Sequence, residues 1–395
     1  MKSEYILENR TLHPKHTKIK NVILLILVLS MLSNKTLSAQ KDSSVLNVSA
    51  SYSADFAYNF VGGLKTGFAY MGIADIAVSF NTSDLKLWNG GEFLVHGATT
   101  HGNTFSADYL GDMQVASNIE AGNIIYLHEL WYAQQMGILR ITAGLQDLNA
   151  TCMATELGTL YLNSSFGIPA SLSSEVPLPI FPLTGLGLLV EAEITDFLKI
   201  SSSIYDGYYE AQTENPHNTK WAFNKKDGYL LNAELAYTYT IFNTVGTSKI
   251  GLNHHSHFKT EQEPGTLQSV ATTNAIYFIT DQMLTTESTT MQAALFVQMS
   301  GFAGNALSNW MYAGAGINLS HFSKSNPENT IGIALAHAAI DSDAGNETAI
   351  EITYKAYILS NFYLQPDIQY ILNPAGTDRK LENALAGILR CTIEL

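Results

Sequence analysis

The sequence predicts an all-β protein, a transmembrane antiparallel up-and-down β-barrel of about sixteen strands with one long connection folded into its lumen. Three observations carry that expectation. The N-terminus has the form of an export signal, and short runs of alternating apolar and polar residues recur along the rest of the chain. Beyond the signal, no segment approaches the ~18 consecutive apolar residues of a membrane-spanning helix. Hydrocarbon offers no partners to backbone N–H and C=O groups, so strands that cross it must close on themselves.

Residues 1–39 read as a cleaved signal peptide. Lys15, Lys18 and Lys20 precede an apolar block from Val22 to Leu32, and Leu37-Ser38-Ala39 places small residues ahead of Gln40. At ~1.5 Å rise per residue this block falls well short of ~30 Å of hydrocarbon, which argues against an anchor. Residues 40–50 read as a short N-terminal extension and 51–395 as the barrel domain. The whole chain has a net charge of −14, and six of its 21 basic residues lie in the signal, so the exported part is more acidic still. That balance argues against a nucleic-acid partner, which needs basic surface to neutralise phosphates. Cys152 and Cys391 are too few for a disulfide framework and read as isolated thiols. With no Cys/His ligand spacing, no metal or other cofactor is expected.

The strands follow from period two. From Ile138 to Gln146, Leu139, Ile141, Ala143 and Leu145 face lipid, which turns Arg140, Thr142 and Gln146 inward. Leu186, Leu188, Val190, Ala192 and Ile194 alternate with Gly187, Leu189, Glu191 and Glu193. After a tight turn at Thr195-Asp196, Lys199, Ser201, Ser203 and Tyr205 continue the inner face. From Tyr229 to Tyr239 the odd positions form an apolar stripe with tyrosines at both ends, as interfacial girdles require, and Asn232, Glu234 and Thr238 face the other way. Glu351, Thr353, Lys355 and Tyr357 oppose Ile352, Tyr354, Ala356 and Ile358, and the chain returns through Pro366, where a bulge or irregular pairing is expected. The last run alternates Leu389, Cys391, Ile393 and Leu395 with Ile388, Arg390, Thr392 and Glu394, as closure against the first strand asks. About 22 residues per strand and connection would leave about 10 for each tilted crossing. The tract Asn163 to Gly167, followed by Pro169, Pro177, Pro179 and Pro182, is too polar and too rich in turn formers to cross lipid, and reads as the connection that folds inward.

Several tracts, taken in order, carry a family likeness: Leu85 to Gly91, His101-Gly102-Asn103, Leu110 to Ile119, Leu127 to Tyr132, Ala143 to Asp147, Tyr161 to Gly167, Pro177-Leu178-Pro179, Tyr277 to Gln282 and Leu364 to Pro374. Together they resemble the carbohydrate-selective porin family, the OprB-type outer-membrane porins. Tyr126, standing where many members carry a basic residue, and the terminal Leu395 depart from the pattern. The resemblance implies a sixteen-stranded barrel in the outer membrane of a Gram-negative bacterium, surrounded by lipid. It further implies passive diffusion of mono- and small oligosaccharides through a water-filled lumen, with no cofactor and no catalysis. A barrel without sugar selectivity, of general or structural role, is the alternative, and association as a homotrimer or monomer stays open.

A sugar offers hydroxyls at its rim and a C–H face, so a selective lumen needs charged or amide groups and an aromatic surface. Strand parity places Glu129 and Arg140 inside as opposite charges, with Trp131 sharing the parity of Glu129 as a stacking surface or a girdle residue. Gln146, Asp147, Glu191 and Glu193 join them as pore-lining candidates, and Asn163 does so if its loop turns inward, together with Ser164 and Ser165. Glu191 and Glu193 at i, i+2 lie ~7 Å apart, a separation open to an inverting glycosidase, but alternate acids on a polar wall are expected anyway. His254, His255 and His257 read as a loop or strand-end cluster rather than a metal or hydrolase site.

Overall fold

The computed structural model describes residues 46–395, apart from 209–214, 224–226, 257, 264–265, 271, 287–289, 305–308, 341–344 and 378. The expected signal peptide and its cut, and His257, lie outside the described residues. Sixteen strands close into an antiparallel barrel. They begin with β1 (Asn47–Val61), β2 (Gly67–Asn81), β3 (Gly91–Gly102), β4 (Ile124–Met136) and β5 (Leu139–Gln146). After a long connection come β6 (Gly185–Thr195), β7 (Leu198–Asp206), β8 (Tyr229–Ile241) and β9 (Thr244–His255). A separate hairpin of β10 (Phe258–Glu263) and β11 (Thr266–Val270) precedes β12 (Thr273–Met283), β13 (Gln292–Gly304) and β14 (Asn309–Ser320). The wall ends with β15 (Thr330–Ile340), β16 (Glu347–Leu359), β17 (Phe362–Leu372) and β18 (Ala384–Glu394). β1 begins inside the segment read as an N-terminal extension.

Period two translates into two faces. On β8, Leu231, Leu235 and Tyr237 are exposed and Leu230, Asn232 and Glu234 buried, as the alternation requires. β18 pairs with β1 and closes the wall, and there Asp55 accepts two bonds from the Arg390 guanidinium, at 2.7 and 2.8 Å. One local expectation is corrected and another is made specific. Leu145, assigned to lipid, is 1 % exposed, because this end of β5 is where the chain leaves the wall for the lumen. Of the two outcomes expected at Pro366, the structure shows irregular pairing rather than a bulge: its register with β18 is continuous. On the β16 side the ladder skips the positions opposite Gln365 and Pro366 without changing register. A proline without an N–H removes hydrogen bonds but keeps an extended φ, so it interrupts the ladder and leaves the strand in place.

The apolar core sits inside the barrel. Two connections fold inward, residues 103–123 and 147–184. Phe105, Leu110 and Ile119 of the first pack with Ala57, Met71, Ala384 and Ile388 of the wall. Tyr161, Phe166 and Ala170 of the second pack against Phe296, Tyr312, Ala334, Ala336 and Ala349. Small inward residues on β15 and β16 make that approach possible, and a Cβ at Gly332 would stand 2.6 Å from the Tyr161 hydroxyl. Because β5 ends at Gln146, the edge of β4 from Ile125 to His128 has no strand beside it. The segment after β7 fills the notch: the Leu127 amide donates to His217 O, and Asn218 Nδ2 donates to the carbonyls of Leu127 and Thr184.

Candidate functional site

The inward connection is held by carboxylates and amides of the opposite wall. Glu234 accepts the Met153 amide (2.9 Å), Asp281 the Glu156 amide (3.1 Å), and Glu351 the amides of Leu162 (2.6 Å) and Asn163 (3.0 Å). Gln298 Nε2 donates to Ser165 O, Gln365 Nε2 to Leu160 O and Lys249 Nζ to Ala154 O. Glu347 does the same for the first connection, accepting the amides of Met113 and Gln114, and also accepts the Ala375 amide from the loop between β17 and β18. Each of these loops brings unpaired backbone N–H groups into a site with little water. An inward carboxylate with several acceptor positions satisfies two or three at once.

Asn163 therefore has a different role from the expected one. It is fully buried, caps the turn Ser164–Gly167 by accepting the Ser165 amide, and donates to Gln369. Ser165 is buried beside it, so neither can meet a permeating solute. Gln146 is likewise spent on backbone, donating to Gly187 O at 3.0 Å. Asp147 caps Leu148–Ala150 and lies 3.3 Å from His128 Nε2.

What remains available is a row of alternating charge around the wall. Glu92 on β3 meets Arg140 on β5 at 2.7 Å, Arg140 approaches Glu191 on β6 at 3.9 Å, and Glu191 meets Lys199 on β7 at 2.6 Å. The side chains of Glu92, Arg140 and Lys199 are 29 %, 31 % and 44 % exposed. Glu193 is exposed at the end of β6, opposite Lys199 in register. Glu129 and Arg140 are both on the lumen side, as parity indicated, but they do not pair with each other. They stand at different heights on the wall, because Arg140 is in register with Gln135. Trp131 links the two levels, with the Arg140 guanidinium 5.8 Å from its ring and its Nε1 donating to Glu129 at 3.2 Å. These contacts place Trp131 on the lumen face, not in a girdle.

Sequence reasoning missed His96 and His128. A register shift between β3 and β4 sets both His128 and Glu129 against His96, so one extra residue turns two neighbouring side chains inward. The signal was present: the outward residues Leu127 and Leu130 are three apart, where unbroken alternation gives two. Gly144 marks the same region from β5, with φ +138° and an added Cβ falling 2.3 Å from Leu130 O. Of the other histidines, His254 Nδ1 lies 2.8 Å from Asn274 and His255 Nε2 2.9 Å from Gly207 O.

On the opposite arc, at the barrel end that carries the same set of turns, a cavity of about 310 Å³ lies under the inward connection. It is lined by residues including Glu156, Leu157, Asn318, Lys355 and Tyr357, and the Lys355 ammonium sits 3.9 Å from the Tyr363 ring. That volume is at the small end of ligand pockets. Cys152 and Cys391 are free thiols, and burial pushes the Cys152 thiol up to about 12, so it stays protonated.

A model of the carbohydrate-selective porin, OprB family, matches residues 65–395. No curated protein matches the chain. In structure it is similar to a high-pH structure of Pseudomonas putida OprB, at 14 % identity and TM-score 0.78, covering 89 % of this chain and 94 % of that one. A low-pH structure of the same protein gives 12 % identity and TM-score 0.58, over 89 % and 92 %. A loop L8 deletion mutant of OmpT, an outer membrane protein of Vibrio cholerae, gives 9 % and 0.52, over 89 % and all of that chain. At such identities these likenesses speak for the fold alone.

Proposed function

The chain belongs to the carbohydrate-selective porin, OprB family, and is a sugar-selective porin of the Gram-negative outer membrane. On that premise we propose that a sugar passes between the Glu92–Arg140–Glu191–Lys199 row, with Trp131 beside it, and the underside of the inward connection at Glu156–Leu160. The observation that carries this reading is the division of the lumen's polar groups into two classes. Glu234, Glu347 and Glu351 are buried and committed to backbone amides. Truncating one would strand N–H groups at about 1–3 kcal/mol each, so they are not free to exchange partners with a solute. In the charge row Glu92, Arg140 and Lys199 are partly solvated, with the buried Glu191 between the two cations; exposed pairs such as Glu92–Arg140 are worth about 0–1 kcal/mol, which a hydroxyl can replace in passing.

Alternating signs around one rim set up a field across the lumen. Sugar hydroxyls can donate to Glu92 and Glu191 and accept from Arg140 and Lys199, while the C–H face of the ring slides over Trp131. Fold and family are those of a channel rather than an enzyme. In keeping with that, Glu191 is held by Lys199 and Arg140, and Glu193 is exposed at the strand end, so the two do not form a matched acid and base.

The test is single-channel conductance in planar bilayers with sugars titrated in. Conductance should fall as a mono- or disaccharide occupies the row, and Arg140→Ala should weaken the block or change ion selectivity while the barrel still assembles. Block unchanged in Arg140→Ala would remove the row from the pathway, and no block of the native chain by any such sugar would remove occupancy of the lumen by sugar at this level.

A further inference from the structure

The bulge in β4 gathers a second cluster, above the charge row and separate from it. One ligand atom from each of His96, His128 and Glu129 lies within 4.8 Å of the others, the one such grouping of three among the described residues. His96 Nε2 faces Asp75 Oδ1 at 3.2 Å, and its Nδ1 faces Glu129 Oε2 at 3.7 Å. His128 Nε2 faces Asp147 Oδ2 at 3.3 Å, and its Nδ1 is buried with no hydrogen-bond partner among the described residues. His128 is 8 % exposed, and its ring stands perpendicular to that of His96 with centroids 4.8 Å apart.

We propose that His96, His128 and Glu129 bind a divalent transition-metal ion of the Zn²⁺ class on the lumen wall, through the two Nδ1 atoms and a Glu129 carboxylate oxygen. Each imidazole has its other nitrogen against a separate carboxylate, Asp75 or Asp147, which is the arrangement that fixes the tautomer and ring orientation of metal-ligating histidines. Among the described residues the buried Nδ1 of His128 has no partner, which leaves it available to an ion. Two imidazoles and a carboxylate suit zinc or copper better than calcium or magnesium, which take oxygen ligands. At Zn–N and Zn–O bonds of ~2.0–2.1 Å, tetrahedral ligand atoms stand ~3.3 Å apart, so the His96–Glu129 pair is already near its bound spacing and side-chain rotation closes the rest. Three carboxylates, Asp75, Glu129 and Asp147, supply the negative field for the cation. Partial exposure of His96 and Glu129 toward the lumen leaves room for a fourth ligand such as water.

The experiment uses the purified full chain in detergent and Zn²⁺ alone as the probe, with binding followed by calorimetry. One ion per chain is expected, with affinity falling ~100-fold or more in His96→Gln and His128→Gln and ~10- to 100-fold in Asp147→Asn. No binding by the native chain, or equal binding by both histidine variants, would overturn the proposal. Cu²⁺ bound to the unmutated chain provides a second reading that needs no variant to fold: its electron paramagnetic resonance should show hyperfine coupling to two imidazole nitrogens. A signal from oxygen ligands alone, or from one nitrogen, counts against the site. Sugar block measured in the presence of a chelator reports on the porin reading separately, because the charge row contributes no ligand to the ion.

Discussion

Glu351→Ala tests the claim that wall carboxylates hold the inward connection in place. Glu351 is fully buried on β16 and accepts the amides of Leu162 and Asn163 at 2.6 and 3.0 Å. Alanine leaves both N–H groups without an acceptor, at about 1–3 kcal/mol each, or about 2–6 kcal/mol together. Since 1.4 kcal/mol is a factor of ten, the docked form of the connection should lose at least about 25-fold in population relative to undocked forms. One effect runs the other way: Asp367 lies against Glu351, and removing one of two adjacent buried carboxylates relieves their repulsion. Glu351→Gln separates the terms, because it discharges the site and keeps an acceptor oxygen. The assay is planar-bilayer conductance with a sugar titration, alongside limited proteolysis of residues 148–183. Glu351→Ala should give a larger, noisier conductance with weaker sugar block and faster cleavage, and Glu351→Gln should lie between it and the native chain. Conductance, block and cleavage all unchanged in Glu351→Ala would refute the anchoring argument.

Three further outcomes follow from the same reasoning. Asp55→Ala strands the buried Arg390 guanidinium at the closing seam and should cost about 3–5 kcal/mol, read as a lower unfolding temperature in detergent, with Asp55→Asn intermediate. Leu235→Arg, on the lipid face of β8, should destabilise the barrel in bilayers by about 2–4 kcal/mol and leave sugar block intact, whereas Arg140→Ala should do the reverse. Burial, and after it the Glu347 charge, raises the Asp112 carboxyl well above the usual carboxylate range. The folded chain then keeps this proton to higher pH than the unfolded chain does. The stability it contributes is complete below the ordinary carboxylate range and declines as pH rises toward the raised value. Asp112→Asn should flatten that decline in thermal unfolding measured across pH 4–9, and an unchanged slope would show that Asp112 does not set it.

Parity was legible in the chain. Apart from Leu145 at the end of β5, the alternations through β5, β6, β7, β8, β16 and β18 read correctly as outer and inner faces, and the polar, proline-spaced tract after Asp147 read correctly as an inward connection. Parity gave the candidate lumen residues an inward direction but did not sort them. Arg140 and Trp131 stay partly exposed and Glu191 is buried between Arg140 and Lys199, whereas Asn163 and Gln146, equally inward, are consumed by backbone. His128 was missed because one inserted residue breaks the period locally, and a two-residue alternation carries no provision for it.

Where the alternation is unbroken, the sequence by itself determined which side of a strand meets hydrocarbon, since that depends only on the two-residue repeat and on the need to pair every backbone group in lipid. The tertiary structure alone decided which inward groups hold the loops and which stay partly exposed in the lumen. Glu351 finds its partners at Leu162 and Asn163 and Asp55 finds Arg390, across spans of chain that only barrel closure and the path of the loops bring together. Hydrogen bonds act over about 3 Å in space and take no account of separation along the chain, so a local pattern can place a carboxylate in the lumen without naming the group that takes it.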